Sequence, residues 1–341
     1  MKKYLFLLLI SSSAYVASAQ DNRTPYLTRS LASDGIKNVF VNTSGGSISV
    51  SGGREEPHID VYIVGNNNQN LSKDEIKKRL DEDYTLDISV SNGELHATAK
   101  QKRNNINWRR SLSIGFKVYV NKQASTNLNT SGGSISIDNL TGNQNFETSG
   151  GSLRVNLVTG IIKGETSGGS INVSNSRQDI VLTTSGGSIT ASNCQGKLKL
   201  ETSGGSLKLD NLKGYINATT SGGSISGSNV DGELITGTSG GSVNLAGISG
   251  SLDASTSGGS MHAEMIKVGK YVKLESSAGH VDLTLPAGQG LDLDLRADRV
   301  SFGMPGNFNG EKSKDKVVGK LNGGGATVQV RGQSSISVST K

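Results

Sequence analysis

Cysteine is nearly missing from this sequence. Its one thiol, Cys194, excludes an internal disulfide framework and any zinc site built from several cysteines. Aromatic residues are scarce as well, 4% with a single Trp, which argues against a thick core filled by large rings. Past the N-terminus no stretch of about 18 apolar residues occurs, so no transmembrane segment is expected. The net charge of +6 over 341 residues is mild and does not point to a nucleic-acid partner. The histidines, His58, His96, His262 and His280, show neither HxH nor HExxH spacing, so no metal site is signalled. No P-loop, no dinucleotide fingerprint and no G-x-S-x-G elbow between a strand and a helix is present, and no cofactor is expected. Glycine, by contrast, is abundant at 46 residues. Counted with the 33% of other apolar residues, it brings the chain near the usual globular fraction.

The first residues have the order of a secretory signal peptide. Lys2 and Lys3 make a basic start, an apolar run from Tyr4 to Ile10 follows, and small residues end in Ala17-Ser18-Ala19. Cleavage after Ala19 would remove two lysines and lower the net charge from +6 to +4. The expected destination is the periplasm, the cell surface or the medium.

A repeat dominates the rest. TSGGS begins at Thr130, Thr148, Thr166, Thr184, Thr202, Thr220, Thr238 and Thr256, always 18 residues apart. A fixed period of this length marks a solenoid whose turns stack on one another. A flexible Gly/Ser linker would not hold apolar residues in columns. Here position 6 runs Ile135, Leu153, Ile171, Ile189, Leu207, Ile225, Val243, Met261. Position 8 includes Ile137, Val155, Val173 and Leu209; position 11 runs from Leu140 through Cys194 to Ile266; position 15 is Ile or Leu from Ile162 to Leu252. Spacings of two are strand spacings, and the gaps of three or four between them are corners. At the corners, the Gly-Gly pair of TSGGS is expected to take positive φ. So is Asn at position 10, as in Asn139 and Asn193, because Asn tolerates the left-handed region. Glycine recurs at position 13. The Thr of position 1 shares parity with the inward positions and is expected inside, as a structural column. Cys194 is expected to be a small core residue. Stacking at about 4.8 Å per turn predicts a rod of about 38 Å for eight turns, and parallel crossovers favour the right-handed form.

The ends differ. An outlying TSGGS spans Thr43 to Ser47, and the chain then leaves the pattern. Strand-like alternation covers His58 to Val64, Thr85 to Val90, Leu95 to Ala99 and Ser113 to Val120. One helix is expected from about Ser72 to Glu82, with Ser72 and Glu75 as a capping box and Leu71 with Ile76 as a staple. After Thr256 the period stretches. Leu291, Leu293 and Leu295 alternate with Asp292 and Asp294, and Asn322 to Val330 reads as a closing turn. The expected class is all-β: a single-stranded parallel β-helix, or β-solenoid, with 18-residue turns and a strand-rich N-terminal cap carrying one short helix. Its parts are a signal peptide (1–19), the cap (20–125), regular repeats (126–275), and irregular C-terminal turns with a cap (276–341).

The TSGGSI turns, the early strand-rich segment, the irregular last turns and the late Leu321-Asn322-Gly323-Gly324-Gly325 resemble the bacterial putative-adhesin family of β-strand-repeat proteins, a domain of unknown function. The resemblance runs from about Ile36 to the C-terminus. It implies a fold and surface adhesion, and it supplies no catalytic residues.

Chemistry is thinly signalled. Calcium-binding β-rolls place Gly and Asp where Ile135 and Ile137 stand, so that reading fails. Asp282, Asp292, Asp294 and Asp298 read as a solvated acidic face rather than an ion site. The outward position 7 column is mixed and sets up no carboxylate pair for glycoside hydrolysis. The most ligand-like residues are Lys102, Arg103, Trp108, Arg109 and Arg110: Trp can stack on a sugar, and Arg can pair with carboxylate, sulfate or phosphate. The competing reading is a solvated hairpin loop with Trp108 tucked against the cap. The expected function is a non-catalytic binding or adhesion scaffold whose partner is a glycan or an envelope or surface protein. The alternatives are a structural periplasmic protein without a specific ligand and a β-helix carbohydrate-active enzyme. The sequence leaves the oligomeric state open.

Overall fold

The computed structural model describes residues 24–53, 55–66, 69–103, 108–303 and 307–341. The signal-peptide reading falls outside them. Each regular turn contributes a four-residue strand, such as Ile171–Ser174, and an eight-residue strand, such as Arg177–Thr184. From Leu207 to Thr256 the two merge into 14-residue strands. Pairing is parallel and steps by 18 residues: Ile171 lies on Ile189, and Thr166 on Thr184. The inward columns form one continuous apolar core along the stack. Where a column changes size, its neighbour compensates. A Cβ on Gly164 would stand 2.3 Å from Phe146 Cε2, so the ring of one turn occupies the side-chain space of the next. Gln144 fills position 15 of the first turn and is buried. It accepts from Thr126 Oγ1 (2.7 Å) and donates to Ala124 O (2.8 Å), so its amide is satisfied.

The corners divide the expected work differently. Asn139, Asn175, Asn193, Asn211 and Asn229 have φ of 50° to 55°, and the glycines of position 13 have φ of 120° to 145°. The glycines of TSGGS in the regular turns do not take positive φ. A different constraint selects the second of each pair. A Cβ on Gly187 would lie 2.1 Å from Gly169 O, whereas one on Gly186 would find nothing nearer than 3.5 Å. The stacked corners touch backbone to backbone, and only hydrogen fits between them. The buried threonines pin this approach: Thr184 Oγ1 donates to Gly169 O (2.8 Å) and accepts from Gly187 N (3.3 Å).

One column assignment is corrected. Ile266 does not point inward; it is 61% exposed. A register shift pairs Ile248 with Met265, and Met265 takes the core place.

Both ends are interleaved. The outlying TSGGS strand Asn38–Thr43 stacks in register on Ser125–Thr130 on one side and on Glu94–Gln101 on the other. Its partner Ile48–Gly52 lies between Leu112–Val120 and the first regular turn. A layer later in sequence therefore sits farther out. Antiparallel strands Tyr84–Ser91, His58–Gly65 and Leu27–Ser30 complete this end. The helix, α1, spans Lys73–Asp83 and packs Ile76 and Leu80 inward. Ser72 Oγ accepts from Glu75 N (3.2 Å), as the capping box requires, but the Glu75 carboxylate bonds Arg79 Nε (2.6 Å) instead of closing the box.

The C-terminal end repeats the device. The strand Ala326–Gly332 does not close the stack. It lies between the end of Met261–Ser276 and Leu291–Arg296, and Ser335–Thr340 lies between Val281–Leu285 and Arg299–Phe302. The outer layer is the strand Leu291–Arg296 with the hairpin Phe308–Lys312 and Lys316–Leu321, where Phe302 and Phe308 meet edge-on at 5.6 Å.

Candidate functional site

The Gly/Ser corners of the first layers and the strand Leu112–Val120 enclose a cleft of about 740 Å³ at the N-terminal end. Its lining is Ser44–Ser47, Gly132–Ser134, Ser111–Ser113, Gly65, Asn66 and Gln101. The groups are hydroxyls, amides and glycine backbone. Among the described residues its lining holds no carboxylate, imidazole, thiol or ammonium. Such a surface can hydrogen-bond a polyhydroxy ligand through donors and acceptors alike.

None of the sequence candidates is in this lining, but two adjoin it along the chain: Lys102 follows Gln101, and Arg110 precedes Ser111. The structure separates them into two groups. Three consecutive acids, Asp81, Glu82 and Asp83, end α1, and its last turn carries no basic residue. Negative charge at a helix C-terminus is unfavourable, and cations from elsewhere offset it. Lys102 Nζ donates to Asp81 O at 2.7 Å. Arg110 pairs with Glu82 and, at 3.3 Å, with Asp83. Hydrogen bonds to Asp83 and Glu82 push the Arg110 pKa up. These two residues therefore brace the helix.

Trp108 and Arg109 belong to the other group, and Arg103 stands exposed at the end of the neighbouring strand. Trp108 opens a 3-10 turn, Trp108–Arg110, and is 62% exposed rather than tucked against the cap. The Arg109 guanidinium lies 5.5 Å from its ring centre. Ser111 Oγ donates to Trp108 O (2.7 Å), and Asn66 N donates to Ser111 O (3.1 Å), so the turn is tied to the cleft wall. A larger groove, about 920 Å³, runs along Gly35–Asn38 and Asn121–Ser125 and carries Lys37 and Lys122 but no aromatic ring.

Elsewhere the fold joins groups that spacing does not reveal. His280 Nδ1 meets Ser335 Oγ at 2.8 Å, and its Nε2 meets Asp282 Oδ1 at 2.9 Å. Imidazole and carboxylate are both open to water. The string ties the last inserted strand to the corner beneath it. The acidic residues do not gather: Asp282 faces His280, whereas Asp294 is bound by Arg331 and Arg296. No group of three or more His, Cys, Asp or Glu among the described residues could hold a metal ion. Cys194 is buried in the core column, and desolvation pushes its thiol pKa up. No helix among the described residues is long and apolar enough to cross a membrane.

Residues 225–335 match the family described as Toastrack DUF4097, a domain of unknown function. This stretch, about a third of the chain, holds the last regular turns and most of the C-terminal layers, and the resemblance read from the sequence holds there. A putative cell adhesion protein from Clostridium sporogenes ATCC 15579 is similar at 11% identity over 92% of this chain and 98% of that one, with a TM-score of 0.19. A putative adhesin from Bacteroides fragilis NCTC 9343 shares 10% identity over 75% and 96%, with a TM-score of 0.34. Another from Parabacteroides distasonis ATCC 8503 shares 10% over 92% and 96%, with a TM-score of 0.33. Superposition this loose transfers neither residues nor activity. No curated protein matches the sequence.

Proposed function

We propose that this chain is a non-catalytic, adhesin-like binding scaffold that works outside the inner membrane. The observation that carries the reading is the exposed Trp108 with Arg109 over its ring, in a turn joined through Ser111 to the wall of a cleft rich in hydroxyls and amides. An aromatic ring and a polar, non-titrating wall suit recognition of a glycan or a glycosylated surface protein. In this reading residues 20–125 carry the recognition site, residues 126–275 are a stiff spacer, and residues 276–341 finish the stack. The amino-terminal Lys2 to Ala19 pattern supports export.

The test is an array of glycans and matrix proteins probed with the purified mature chain and with a Trp108→Ala, Arg109→Ala variant. Binding that the double variant loses by about tenfold or more supports the site. A wild-type chain that binds nothing, or a variant that binds equally well, contradicts it.

A further inference from the structure

The solenoid departs from its period once among the TSGGS turns, and the departure is local. The turn from Thr256 to Ser276 has two extra residues. Gly250 pairs with Val268 and Leu252 with Val272, so Gly269, Lys270 and Tyr271 together face Ser251. Bulges of this kind re-aim a side chain, and they concentrate near functional sites.

The side chain re-aimed here is Tyr271. Its hydroxyl donates to Glu233 Oε1 at 2.8 Å. Glu233 pairs with Ser251, so the acceptor lies two turns away, about 9.6 Å along the stack. A tyrosine standing straight off the sheet would not reach it, so the side chain leans along the stack. The backbone of the bulge covers Ser251: its column faces water, yet it is 7% exposed, and its Oγ accepts from Lys270 N at 3.0 Å. Tyr271 itself is half-buried, so part of its ring meets solvent. Tyr215, 37% exposed, pairs with Glu233 in the same column. Tyr215, Glu233 and Tyr271 thus form a strip running along the rod.

We propose that this strip is a stacking site for the pyranose rings of an uncharged, linear glycan laid along the solenoid axis. The rings of Tyr271, anchored through its hydroxyl, and of the exposed Tyr215 offer aromatic surface to the C–H face of a sugar, and anchoring in advance lowers the cost of ordering on binding. The second oxygen of Glu233 is placed to accept a sugar hydroxyl. Asp253, which pairs with Lys273 at 3.6 Å, adds a carboxylate one strand away. Glu233, between the two tyrosines, disfavours acidic sugars and phosphate-bearing ligands there, whereas the charge of Asp253 is offset by Lys273. The site lies on the long-strand face, away from the Trp108 cleft, and does not depend on it.

The experiment is calorimetric titration of the mature chain with cellohexaose and chitohexaose, and with hexagalacturonate as the charged control. Wild type is expected to bind at least one neutral hexamer and not the charged one. Tyr271→Ala should weaken that binding by about tenfold, and Tyr271→Phe, which keeps the ring and loses its anchor, by a smaller factor. The comparison is made in a Trp108→Ala, Arg109→Ala background, so that the N-terminal cleft contributes nothing to it. Thermal unfolding of each variant reports whether its fold is kept. Failure of both neutral hexamers to bind overturns the proposal. So does binding that survives Tyr271→Ala in that background.

Discussion

Gly186 and Gly187 stand side by side in one corner, and only the second is enclosed. A methyl on Gly187 would have to displace the carbonyl of Gly169, 2.1 Å away. Gly187→Ala is therefore expected to cost about 3 kcal/mol, because stacked backbone cannot step aside as a side chain can. Gly186→Ala, with 3.5 Å of room, should lie within about 0.5 kcal/mol of wild type. Denaturant unfolding of the two variants measures the contrast, and equal losses would contradict the close-approach explanation. Leu157 offers the opposite opportunity. It occupies the Asn position of its turn at φ 55° with an exposed side chain. A β-carbon in that region costs about 1–2 kcal/mol, and Asn tolerates it better. Leu157→Asn should therefore stabilise the chain by about 1 kcal/mol and remove an exposed apolar group.

At the scale of the element, the bulged turn that carries Tyr271 predicts a pH response. The hydrogen bond to Glu233, followed by desolvation, pushes the Tyr271 pKa from 10.0 to about 12. A folded pKa above the unfolded one means that this bond contributes fully below about pH 10 and is lost as pH rises through about 12. The difference between absorbance titrations of wild type and Tyr271→Phe should show the missing ionisation near 12; a transition near 10 would contradict the bond. The corners and columns were legible in the sequence because each rests on a periodic local signal: Asn at position 10, Gly at position 13, and branched residues every second position. The second Gly of TSGGS was legible as a constraint but not as this one, because the steric partner belongs to the turn below. Ile266 was misplaced for a related reason. Counting by 18 carries no information about a register shift that promotes Met265 in its stead. The roles of Lys102 and Arg110 were likewise hidden, since what they brace is the acidic end of a helix some 20 to 30 residues upstream. The exposure of Trp108 depends on how its short turn seats against the cleft wall, which composition does not encode.

For the whole molecule, the main consequence lies at the ends. In each, a strand pair that looks terminal or isolated in sequence is held between two other layers, and antiparallel strands form the outer rim. The rims are guarded against pairing with other chains. Arg29 Nη1 occupies Ile88 O at 2.7 Å on one edge strand, and the other edge strand, Phe308–Lys312, carries Glu311 and Lys312. Removing residues 326–341 should accordingly do more than fray the end. It takes out a middle layer, so the amides of residues 291–302 should lose their protection from hydrogen exchange. Protection that persists there would mean that the outer layer is independently stable.

The proposed role, an adhesin-like binding scaffold outside the inner membrane, is tested most directly by its location. Intact cells that produce the chain would be shaved with protease, then fractionated, and the mature chain followed with an antibody. The account predicts that the protein is stripped from the surface or recovered from the medium. Full protection in the periplasm would contradict adhesion and leave an envelope role with partners on the inner side.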